Sequence, residues 1–132
     1  MKKLSINQEY IKNIVKKASI EDLCPHGDIT SKQIKNKNKI KAKIISNQNC
    51  IVGGLSFART IFKILDKKII FKTKIKDGKK IKRNKVVATI VGNPIKILAG
   101  ERIALNFLSL ISGVATTTRK FVDKVKRKSC KI

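Results

Sequence analysis

Apolar and polar positions recur along this chain with two different periods. Over residues 5–19, Ile11, Ile14, Val15 and Ala18 fall on one face at helical spacing, which predicts an amphipathic helix. Ser5 and Gln8 have the spacing of a capping box at its start, and Pro25 and Gly27 break the pattern. From 39 to 46 lysines alternate with Ile40, Ala42 and Ile44, as on a strand with one wet face. A polar turn at 47–49 leads into a short return strand, 50–52, ended by Gly53-Gly54. Leu55, Ala58, Ile61, Phe62 and Leu65 predict a helix over 54–65. Ile69, Phe71, Thr73 and Ile75 alternate again and predict a strand near 68–75, closed by an Asp77-Gly78 turn. Val86, Ala88 and Ile90 mark a strand near 85–91, and the stretch from Asp77 to Gly92 reads as a scaffold hairpin. Pro94 then suits the first position of a helix.

The stretch that follows organises the rest. It predicts two helices, 95–111 and 113–127, parted at Ser112-Gly113. The first is apolar almost all round, and a helix apolar on every side is expected to be buried on every side. One stripe differs: Arg102, Asn106, Ser109 and Gly113 fall at i, i+4, i+7 and i+11, which is one face. Three readings fit such a stripe. It meets a partner helix, or Arg102 meets an anion, or Arg102 pairs with an acid elsewhere in the chain. In the second helix Val114, Thr118, Phe121, Val122 and Val125 are expected to be buried, with Arg119, Asp123 and Arg127 pairing along the wet face.

Antiparallel strands packed against helices make an α+β fold. A chain of 132 residues with 42% apolar content suffices for one compact domain. No run approaches about 20 unbroken apolar residues, so no membrane span is expected. Without a secretion-type leader the cytoplasm is the expected compartment. The net charge of +24 invites a nucleic-acid reading. The lysines are spread along the chain and aromatics are few, so specific nucleic-acid binding is not expected, whereas weak, salt-sensitive adhesion is. Cys24, Cys50 and Cys130 are odd in number and widely spaced, which suggests neither a disulfide framework nor a zinc site. His26 and Asp28 sit at loop spacing with no second His, so no metal site is expected.

Several short motifs occur in one order: Glu21-Asp22, Gly27-Asp28-Ile29-Thr30-Ser31, Ile51-Val52-Gly53-Gly54-Leu55, Asp77-Gly78, Glu101-Arg102-Ile103-Ala104-Leu105-Asn106-Phe107-Leu108, and Ser112-Gly113-Val114-Ala115-Thr116. Together they resemble the N-terminal domain of quinolinate phosphoribosyltransferases over nearly the whole chain. Ile103 stands where Thr is usual, and Val114 where Ile is usual. The resemblance implies residues 1–127 as that domain, with 128–132 beginning an α/β barrel whose other residues this sequence lacks.

The implied reaction joins quinolinate to phosphoribosyl pyrophosphate, giving nicotinate mononucleotide, pyrophosphate and CO2 in NAD synthesis. The chain by itself is expected to be inactive, with no catalytic residue of its own. The resemblance assigns Arg102 to a carboxylate of quinolinate bound in the neighbouring subunit of a homodimer. Glu101, Asn106, Ser109, Ser112, Gly113 and Thr116 are the residues expected to support that site or the interface. No cofactor is expected on this domain; Mg2+ would accompany phosphoribosyl pyrophosphate on the barrel. Two other readings stay open: a stand-alone basic domain adhering to RNA, and an inactive remnant that still dimerises through its long helix.

Overall fold

The computed structural model describes residues 6–23 and 38–125. Helix α1 spans Gln8–Leu23, strand β1 Ile40–Ile45, β2 Cys50–Ile51, helix α2 Leu55–Leu65, β3 Ile70–Lys72, β4 Lys80–Ile81, β5 Val86–Gly92 and helix α3 Pro94–Val125. The architecture is α+β, as the periodicity predicts. Helix α1 buries Ile11 and Val15 and half-buries Ile14 and Ala18. Its start is capped by Asn7, whose Oδ1 accepts from the Glu9 N–H at 2.9 Å; the expected capping-box residue Ser5 lies outside the described residues. The helix also runs four residues beyond the expected 19.

Strands β1 and β3 both pair antiparallel with β5, giving the order β1-β5-β3. The pairing skips Val87: Ile44 faces Ala88 and Ile45 faces Val86. This bulge turns two consecutive side chains, Val87 and Ala88, into the core and leaves Val86 exposed. Strict alternation would have put Val86 inside; the inserted residue is why it is not.

The short strand after the polar turn exists, but it does not return onto β1. Strand β2 pairs with β4 in a separate two-stranded sheet. The stretch from Asp77 to Gly92 is therefore not a hairpin either, since β4 and β5 serve different sheets.

The largest departure is α3, one unbroken helix of 32 residues rather than two. Asn93 caps it, its Oδ1 accepting from the Ile95 N–H at 2.9 Å. The expected break at Ser112-Gly113 fails because a glycine inside a helix costs only about 1 kcal/mol. Tertiary bonds at Ser112 and Thr116, described below, exceed that. By length and composition α3 could cross a bilayer; here it is the spine against which α1, α2, β2 and β5 pack.

Those neighbours cover one side of it. Ile97, Ile103, Ala104 and Leu108 are buried, while Leu110, Val114 and Phe121 are 69%, 60% and 58% exposed. Burial on every side is thus overturned, and so is burial of Val114, Thr118 and Phe121. Among the described residues no second layer packs there. The Arg119–Asp123 pair forms, at 3.1 Å; Arg127 lies outside the described residues.

Two glycines let α2 begin against α3. Gly54 has φ +91, and a Cβ there would sit 3.0 Å from the Phe107 carbonyl oxygen. A Cβ on Gly53 would lie 2.8 Å from Ile111 Cγ2. Gly78 shares the left-handed backbone, with φ +85, but has open space around it. Gly78→Ala should therefore cost only backbone strain, about 1–2 kcal/mol. Gly54→Ala should cost about 1–3 kcal/mol more, as overpacking against α3. Urea unfolding of both variants checks this; equal losses would mean that the Gly54 contact is not tight.

Candidate substrate-contact face of the long helix

The outer surface of α3 gathers most of the residues singled out by sequence. Glu101, Arg102, Asn106, Ser109 and Gly113 are all exposed along it. The stripe is real as a stripe, but it faces outward and is not enclosed in the core. Arg102 is 77% exposed at its side chain. Its Nη2 lies 3.2 Å from Asp22 Oδ1 near the end of α1, so the acid elsewhere in the chain is found. Sequence reasoning missed Asp22 as the partner. It stands far back in the chain, and only the packing of α1 beside α3 brings it there.

An exposed guanidinium at one carboxylate oxygen is weakly held. A guanidinium presents five donors in a planar fork, more than one carboxylate oxygen can take. Beside the pair lies a shallow depression of about 270 Å³, lined by Ala18, Glu21, Asp22, Ile103, Asn106, Phe107 and Leu110. Asn106 adds an amide that can donate and accept. The surroundings are therefore one cation, two carboxylates, an amide and an apolar floor.

Ser112 and Thr116 do something different. They are half-buried and face β2. The Gly53 N–H donates to Ser112 Oγ at 3.0 Å, and Ser112 Oγ donates back to the Gly53 carbonyl at 3.2 Å. The Ile51 N–H donates to Thr116 Oγ1 at 2.9 Å, while Thr116 Oγ1 donates to the Ser112 carbonyl at 2.6 Å. Strand β2 has β4 on one edge only, so its other edge would otherwise present unpaired backbone groups. Two hydroxyls one helical turn apart take the place of the missing strand.

Asp77 completes the junction: its Oδ1 accepts from the Leu55 N–H at 3.1 Å at the start of α2, and the Gly78 N–H donates to the Val52 carbonyl at 2.7 Å. Three of the motifs read separately in sequence are thus one joint. His26, Asp28, Thr30 and Ser31 lie outside the described residues.

The two roles on one helix are separable. Ser112→Ala should lose about 1–3 kcal/mol, the cost of leaving a partly buried N–H without an acceptor. Ser109→Ala, on the exposed face, should stay within about 0.5 kcal/mol of the parent. Chemical denaturation of the two variants measures the difference; similar losses would mean that Ser112 does not brace β2.

Comparison with known proteins bears on the family and the fold. Residues 28–112 match the family model "Quinolinate phosphoribosyl transferase, N-terminal domain". A Synechocystis protein described as "Probable nicotinate-nucleotide pyrophosphorylase [carboxylating]" is 33% identical over 99 residues, which is 75% of this chain and 34% of that protein. A Bacillus subtilis protein of the same description is 29% identical over 127 residues, covering 96% of this chain and 44% of its own. The solved nicotinate-nucleotide pyrophosphorylase of Francisella tularensis superposes with a TM-score of 0.88 at 29% identity, covering 93% of this chain and 43% of its own. The chain thus spans less than half the length of these relatives.

Proposed function

Because the chain belongs to the family of quinolinate phosphoribosyl transferase N-terminal domains, we propose that it supplies the carboxylate-binding arginine of that enzyme. In this reading it forms the N-terminal part of an enzyme converting quinolinate and phosphoribosyl pyrophosphate to nicotinate mononucleotide, pyrophosphate and CO2. The observation that carries it is Arg102, exposed on the outer face of α3 within the Glu101–Leu108 motif.

The chemistry suits the residue. Quinolinate presents two carboxylates on a flat ring, and planar, two-pronged recognition of carboxylate favours Arg over Lys. Arg102 would orient the substrate and balance its charge; it would move no proton and form no bond to the substrate. Asp22 is a ground-state partner that a substrate carboxylate joins or displaces. Glu101 and Asn106 flank it. Among the described residues no group of three or more His, Cys, Asp or Glu gathers to hold a metal ion.

The rest of the outer face supports a homodimer. Leu105, Leu110, Val114 and Phe121 are exposed on α3, interrupted by the small residues Ser109, Gly113 and Thr117, and small residues allow close approach of a second surface. A second subunit covering this face would put Arg102 beside the neighbour's substrate.

Two measurements test the reading. The 132-residue chain, incubated with quinolinate, phosphoribosyl pyrophosphate and Mg2+, should make no nicotinate mononucleotide above blank, since on this reading its contribution is to position the substrate. Turnover would overturn its role as a part.

With this domain joined to a family barrel, Arg102→Ala should cost about 2–5 kcal/mol of substrate interaction, by analogy with truncating one side of a charge pair. That corresponds to about 30-fold to several thousand-fold in kcat/KM. Arg102→Lys should not restore it fully. Mixing Arg102→Ala subunits with subunits inactivated in the barrel should return part of the activity, because one site of each heterodimer is then complete. If heterodimers form and no activity returns, Arg102 does not act across the interface.

A further inference from the structure

The three-stranded sheet has a second face that the carboxylate-binding reading does not use. The strand register places its side chains in rows. Lys41 lies beside Val91, which lies beside Ile70. One step along, Lys43 lies beside Thr89, which lies beside Lys72. Ala42, Ile44, Ala88 and Ile90 point the other way, into or against the core. The outer face is therefore a narrow Val-Thr floor on β5 with lysines along both margins. Lys41, Lys43 and Lys72 are all exposed.

The face is a groove as well as a surface. An open depression of about 1040 Å³ runs along it past Lys41 and Lys72, with Lys74 and Lys85 at one end and Arg59 at the edge; it also reaches the inward-facing Phe71 and Ala88, and Lys43 stands outside it. The Arg59 guanidinium lies over the Phe71 ring, 5.6 Å from its centre, which holds the charge at the rim. No Asp or Glu is among the residues lining it.

We propose that this groove is a sequence-blind docking surface for single-stranded nucleic acid. Charge complementarity selects a polyanion. The two margins select one long enough to touch both. Lysines two apart on one strand stand about 6.8 Å from each other, and β1 and β3 stand about 9.6 Å apart across β5. A flexible phosphate backbone can meet both spacings.

An acidic protein fits less well. Interface cores are depleted in lysine and enriched in aromatic anchors, and this floor offers Val91, Thr89 and Ile70. The same lack of exposed rings removes base stacking, the usual source of affinity beyond charge. Binding is thus electrostatic and indifferent to sequence.

The test uses fluorescence anisotropy of a labelled oligo(U) with the full 132-residue chain across a salt series. A variant carrying Lys41→Gln, Lys43→Gln, Lys72→Gln and Lys74→Gln is compared with one carrying Lys12→Gln, Lys16→Gln, Lys17→Gln and Lys63→Gln. Both lose four exposed charges, and thermal melts confirm that each keeps its fold. The parent should bind, and the sheet-face variant should lower the slope of log K against log salt by about 3, at roughly 0.7 per phosphate released. The helix variant should leave the slope nearly unchanged. A mixed-sequence RNA of equal length should bind as oligo(U) does.

Equal slope losses in the two variants would place the binding on diffuse charge and overturn the proposal. So would absence of binding by the parent at low salt. Displacement of oligo(U) by poly-glutamate as effectively, per charge, as by unlabelled RNA would assign the face to acidic polypeptide instead and overturn it too. None of these outcomes bears on Arg102, which lies on α3 away from the groove lining.

Discussion

The structure depends on one joint: the end of β2 pressed against the middle of α3. Gly53 and Gly54 bring backbone against helix so closely that a methyl group has no room. Ser112 and Thr116 then satisfy the groups this approach uncovers. Packing and hydrogen bonding act on the same few atoms. A bulkier residue at Gly53 would separate the surfaces and lengthen the bonds; loss of the hydroxyls would leave polar groups facing a helix that cannot answer them. The joint also fixes where α2 starts, because Asp77 accepts from the Leu55 N–H. A large part of the core, including Phe57 stacked on Phe107 at 5.0 Å between centroids, follows from that placement.

This joint explains why serine and threonine stand in the middle of an otherwise apolar helix. Their neighbours on the outer stripe are polar for a different reason. Arg102 and Asn106 face outward, where a charge is cheaply solvated and a ligand can reach it. Proximity along α3 hides the division: Ser109 and Ser112 are three residues apart, yet one is exposed and the other holds β2. On the proposed reading, one rigid element carries both the brace and the substrate contact, so Arg102 is positioned by the same bonds that close the domain.

Much of this was legible in the chain. The inner faces of α1 and α2 were, because their apolar residues recur with one period and meet one core. Strands β1 and β3 were, because lysine marks their wet side, and β5 was, because its apolar residues run up to the Gly92-Asn93-Pro94 stop. What was not legible depends on distant residues. Nothing near Cys50 says that its strand pairs with Lys80 and Ile81. Nothing near Arg102 points to Asp22. Val87 is an extra residue in β5, and a bulge leaves no periodic trace. The apolar outer face of α3 misled for another reason. Leu110, Val114 and Phe121 look like core residues by composition, but no layer among the described residues is set against them.

The unbroken run of α3 has a geometric consequence. Its 32 residues make a rod about 48 Å long at ~1.5 Å per residue. It is clamped near its middle at Ser112 and Thr116, and its last two turns are mostly exposed. Direction beyond the clamp is set by the helix screw and by little else. Deleting one residue between Thr117 and Val125 would turn whatever follows by about 100° and draw it in by ~1.5 Å. Deleting four residues together would bring the heading back to within about 40°. Length in this segment is therefore constrained by phase, even where no side chain is buried.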